Sequence, residues 1–179
     1  MAYTTDWGVV HPPQLGWQPI ADTSTTQQHP LGTIVQARDR GSTNNVNGNG
    51  AGEFIYLKGV ASTAAGDWVT YNMDDGGTTR LVANAIGPVA VAMSANVASQ
   101  YGWYQIHGKA VGNCLAAFAD NGNVYATATA GSVDDAVVAG DLVHNAKGAS
   151  AIDFPATGQA EFEISRPWVD DDVDDNLGP

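Results

Sequence analysis

The chain carries very little positive charge and almost no cysteine. Its 179 residues hold seven Lys and Arg against 19 Asp and Glu, a formal net charge of −12. Nucleic-acid binding depends on neutralising phosphates with Lys and Arg, so this balance argues against a nucleic-acid partner. The same sign argues against an anionic membrane surface. A single cysteine, Cys114, allows no disulfide within the chain, so stability must come from packing or association. No apolar run approaches the ~20 residues of a membrane-spanning helix. The N-terminus, Met1-Ala2-Tyr3-Thr4-Thr5-Asp6, has neither the basic nor the apolar region of a secretory signal, which predicts synthesis in a cytoplasm.

Charge of either sign is sparse, 15% of residues, where an average soluble domain has about 25%. Gly, Ala, Thr, Asn and Ser take its place, with 21 glycines. Small and β-branched residues with many glycines suit short strands joined by tight turns. The expected fold class is therefore all-β, a small barrel or sandwich of short antiparallel strands with an extended N-terminal arm.

Residues 1–50 differ from the rest. Pro12, Pro13, Pro19 and Pro30 block a long helix, and the segment ends in an Asn/Gly stretch from Gly41 to Gly50 that reads as a loop. Yet Trp7, Val9, Val10, Leu15, Trp17 and Ile20 are large apolar groups that a free tail would not expose. An arm lying along a partner surface reconciles the two, with residues 31–38 as a candidate first strand. Residues 51–167 form the expected β-rich body. Its strand candidates are 53–60, 68–72, 79–83, 88–94, 102–111, 124–129, 140–144 and 160–165, with strong turn signals such as Asp74-Asp75-Gly76-Gly77. Residues 168–179 make an acidic tail. An internal echo links Gly66-Asp67-Trp68-Val69 with Gly140-Asp141-Leu142-Val143, suggesting two related hairpins in which Gly supplies a positive φ and Asp caps the turn.

Catalytic signals are thin. His11, His29, His107 and His144 are scattered, with no close pairing of metal-ligand type. Cys114 sits in Gly112-Asn113-Cys114-Leu115-Ala116-Ala117, an apolar context that reads as core. No nucleophile elbow, P-loop or dinucleotide-binding glycine motif occurs. The run Asp170-Asp171-Asp172-Val173-Asp174-Asp175 lacks the glycine and terminal glutamate of a calcium-binding loop and reads as a solvated or docked tail. Neither enzyme activity nor a cofactor or metal is expected. Tryptophan is enriched at interface hot spots, so Trp7, Val9, Leu15, Trp17 and Trp168 are the candidate partner-binding residues.

Three stretches resemble small virion proteins of tailed bacteriophages. They are Gly87 to Ala92 with Tyr101 to Ala110, Ala119 to Tyr125 with Gly131 to Ala136, and Ala160 to Trp168. The family is that of capsid decoration proteins, also called cement or head-stabilising proteins. The resemblance spans about residues 52–169 and implies a β-barrel or sandwich, often trimeric, seated where capsomers meet. It implies the major capsid protein and further copies of this chain as partners, and a place on the capsid exterior. It carries no catalytic residues over. The alternatives are a tail or fibre adhesin module binding host glycans, and a small hydrolase using His107 or His144.

Overall fold

A computed structural model describes residues 7–9, 17–39 and 50–171. These residues contain no helix and form twelve strands: β1 (Trp7–Val9), β2 (Thr23–Ser24), β3 (Ile34–Asp39), β4 (Ala51–Lys58), β5 (Trp68–Tyr71), β6 (Thr78–Arg80), β7 (Gly87–Ala92), β8 (Tyr101–Asn113), β9 (Asn123–Ala126), β10 (Val133–Asp134), β11 (Leu142–Gly148) and β12 (Gln159–Val169). The ladders are antiparallel and join into one curled sheet that does not close into a barrel. The fold is all-β and sandwich-like.

Several strands are apolar on both faces, and this sets the layering. In β7, Val89 and Val91 face one buried cluster while Ala90 and Ala92 face another. In β4, Ile55 and Leu57 join that second cluster, whereas Phe54 and Tyr56 point the other way. Each strand therefore needs a cover on each side. The outer face of β4 and β8 is widened by β3, whose Val35 and Ala37 join Phe54, Tyr56 and Trp103, and is covered by Ile20 with Trp17 and Leu31.

This corrects the expected extended arm. Of that arm, Ile20 is buried in the body's core with Trp17 and Leu31 packed against it, β2 pairs with β8, and β1 pairs with the outer edge of β3. The physical reason is that Phe54, Tyr56 and Trp103 would otherwise face water. The tail boundary also moves. β12 continues to Val169, so Trp168 stands in a paired strand and not in a tail.

The same connectivity occurs twice. β4 pairs β8, β8 pairs β7, β7 pairs β5 and β5 pairs β6. Four strands later, β8 pairs β12, β12 pairs β11, β11 pairs β9 and β9 pairs β10. Each module turns back on its first strand through one isolated parallel bridge, Lys58 to Gly77 and Cys114 to Val133. The modules share β8, and the equivalent strands are β5 with β9 and β7 with β11. The Gly-Asp echo thus joins non-equivalent places, the starts of β5 and β11. Its local chemistry holds: Gly66 and Gly140 adopt φ of 85° and 81°, and Asp67 and Asp141 are buried. Asp67 caps its own turn at Ala64 N (2.9 Å), also accepting from Arg80 Nε (2.8 Å) and Asn113 Nδ2 (2.9 Å). Asp141 instead accepts from Asn84 N at 2.6 Å, in the turn that precedes β7.

Two outcomes are expected in denaturant unfolding. Ile20→Ala should cost about 2–4 kcal/mol, because it hollows a filled core site; a loss below about 0.5 kcal/mol would show that residues 17–33 are not part of the core. Exposed Ala117 sits at φ 73° in a turn, so Ala117→Gly should stabilise by about 0.5–1 kcal/mol net of the added chain entropy.

Candidate attachment surface

Of the five sequence-predicted contact residues, two have described side chains, and the fold treats them oppositely. Trp17 stacks on His29 (ring centroids 4.7 Å) and on Trp103 (5.8 Å), and His29 meets the edge of Tyr56 at 5.0 Å. Gln18 ties this cluster together. Its Nε2 donates to Asp22 O and Tyr101 O, its Oε1 accepts from the Tyr56 hydroxyl at 2.8 Å, and its carbonyl accepts from Trp103 Nε1 at 2.9 Å. Trp17 is therefore partly buried, packed against the chain's own aromatic cluster. Trp7 and Val9 lie in β1 at the edge of the sheet, and Leu15 lies outside the described residues.

Trp168 is exposed. It stacks on His144 (4.1 Å between centroids, 14° between planes), its cross-strand partner in β11, and pairs on its other side with Pro88 of β7. Directly opposed residues share a face, so His144, Trp168 and Pro88 form a row across three strands. His144 Nε2 also lies 3.7 Å from Asp170 Oδ1.

Around this row the fold gathers apolar groups that sequence reasoning missed. Pro88, Ile86, Met73 and Tyr71 line a groove of about 410 Å³, with Thr70, Asn72 and Thr79 as its polar wall. Ile86 is 72% exposed and Met73 64%. The loop into β11 brings exposed Val137 and Val138 to the same end: Val143 pairs with Val169, and Gly140 lies against Asp171. The loops before β7 and β11, equivalent in the two modules, meet through the Asn84–Asp141 bond. Single apolar residues in loops are ordinary in any sequence. The pairing of β7, β12 and β11 brings the segments that carry these residues to one end of the sheet.

The candidate chemical groups lie elsewhere. Cys114 is buried, and burial, with Asp134, Asp153 and Asp135 nearby, pushes its thiol up to about 11, away from nucleophilic thiolate. His107 borders a hollow of about 200 Å³ with Gln36, Gly52 and Glu53. The Glu53 carboxylate is already engaged there by Arg166 Nη2 at 2.8 Å, which holds its pKa below the usual range. No group of three or more His, Cys, Asp and Glu able to hold a metal occurs among the described residues.

His29 gives the cluster a pH dependence. Burial lowers its pKa, and its Nε2 accepts from Gln18 N at 3.2 Å, which only the neutral ring can do. A group with a depressed folded pKa takes up its proton more readily when unfolded. Its stabilising contribution is complete above the ordinary histidine value of about 6.5 and is lost as pH falls toward the folded value. Unfolding scans across that window should show stability declining on acidification, with a shallower decline in His29→Gln. Identical slopes in the two proteins would contradict the assignment.

Comparison with protein-family models, with curated proteins and with solved structures finds no match.

Proposed function

We propose that this chain is a structural virion protein that attaches to the outer surface of an assembled phage capsid and stabilises contacts between capsomers, acting as a trimer. The observation that carries this reading is the exposed apolar end that holds Trp168, Ile86, Met73, Val137 and Val138, five of the seven large apolar side chains exposed among the described residues, Ile34 and Phe154 being the other two. Exposed apolar surface gathered at one end of a fold marks a place where another molecule sits, and an exposed tryptophan is the usual anchor of such a contact. The low-charge composition and the family resemblance supply the capsid as partner. A ligand that binds only the assembled lattice stabilises it by mass action, and a symmetric oligomer repeats one patch against a symmetric lattice.

The polar wall of the groove supports a second reading. Thr70, Asn72 and Thr79 beside Tyr71, with Trp168 next to Pro88 at the groove's edge, also suit a tail or fibre adhesin that stacks a host glycan on an aromatic ring.

Cryo-electron microscopy of the virion separates the two. Density on the capsid exterior is expected; density confined to tail or fibre would overturn the capsid reading. Trp168→Ala should weaken binding to capsids lacking the protein by tenfold or more, while the unfolding midpoint stays close to that of the parent. Unchanged binding would remove Trp168 from the contact.

A further inference from the structure

The exposed apolar end is bordered by acid. Asp74 and Asp75 follow Met73 directly, and both are exposed. Asp170 and Asp171 follow Trp168 and Val169. Most cations of the described residues are paired with carboxylates, Arg166 among them although it also acts on Tyr71 at the groove. Arg80, Lys109, Lys147 and Arg166 pair with Asp67, Glu161, Glu163 and Glu53. Lys58 reaches the margin of the groove through its backbone bridge to Gly77. The surface around Trp168 therefore presents apolar groups within a predominantly negative border.

We infer that the partner of this surface is a protein presenting an apolar socket ringed by Lys and Arg. The inference rests on the attachment reading above and specifies the chemistry of that contact. Charge complementarity identifies the occupant. A negative border repels phosphate backbones and anionic lipid headgroups, and a neutral glycan gains nothing from it. A cationic ring is attracted across the solvent gap before contact, so the border speeds encounter. The apolar groups act after contact, once water has left the groove. The two parts of the surface thus control different rate constants, the acidic border the association and the Trp168 region the dissociation.

The test measures binding kinetics of the full chain on immobilised capsids assembled without it, over a range of salt concentrations. The parent should associate about tenfold more slowly at high salt than at low salt. The triple variant Asp74→Asn, Asp75→Asn, Asp171→Asn should match the high-salt rate throughout, with its dissociation little changed. Asparagine keeps the Oδ1 that Gly77 N uses at position 75, so the turn is preserved. Trp168→Ala should dissociate faster while keeping the parent's salt dependence. Binding with an association rate indifferent to salt and to the triple variant would overturn the cationic partner and leave the attachment reading standing. Absence of parent binding at every salt concentration would overturn both.

Discussion

The structure depends on one constraint: its central strands are apolar on both faces. A strand in a half-open sheet alternates apolar and polar residues and needs one cover. Phe54-Ile55-Tyr56-Leu57 and Val89-Ala90-Val91-Ala92 do not alternate, and both runs are buried throughout. Each face then requires its own partner layer, which accounts for three separate clusters instead of one core. Residues 17–37 seal the first, the curl of β4, β8, β7 and β5 encloses the second, and the second module closes over the third.

Sharing β8 between the modules creates a geometric conflict, and particular residues resolve it. β7, β8 and β12 are each antiparallel to the other two, and three such strands cannot all run straight within one sheet. β8 changes partner between Gln105 and His107, just before Gly108 (φ 98°), and β12 changes partner at Arg166 (φ 51°) before Pro167. Gln105 spans the first bend, its Nε2 donating to His107 O (3.0 Å) and Lys109 O (3.2 Å). On the other edge of β8 the ladder with β4 shifts register at the same place, between Glu53 and Phe54. The bend in β12 turns Trp168 away from β8 and lays it between β7 and β11. The exposed end is thus a consequence of the way the two modules are joined.

Much of this was legible in the sequence, and the failures share a cause. The strands of the body, the Gly-Asp turns and the buried context of Cys114 follow from local periodicity and turn chemistry. So did the reading that Trp17 and Ile20 require a cover. What the residues do not encode locally is whether that cover belongs to the same chain, and the expected arm failed at that point. β2 and β10, two residues each, are too short to show a period. The repeat of β4–β8 in β8–β12 is a repeat of pairing between distant segments, so a similarity of turns pointed to the wrong equivalence. Trp168 was recognised because a tryptophan beside a charged run is conspicuous. Ile86, Met73, Val137 and Val138 were not, because nothing local marks a loop residue as exposed.

An exposed apolar end is a hazard for a protein that must remain dispersed before it meets its partner. Two such ends brought together would bury the same groups that serve the intended contact. The acidic residues around this end oppose that pairing, since like-charged borders meet whenever two copies approach through it. The fold places its other described tryptophans, Trp17, Trp68 and Trp103, inside or against the core and leaves Trp168 exposed. Its charge distribution follows the same division: Arg80, Lys109 and Lys147 are paired with carboxylates, Arg166 is paired with Glu53 although it also acts on Tyr71 at the groove, and the exposed residues Asp74, Asp75 and Asp171 give the border its excess of negative charge. On the proposed reading, repulsion between copies and attraction to a cationic partner are two effects of one arrangement, and a substitution that weakens either should weaken the other.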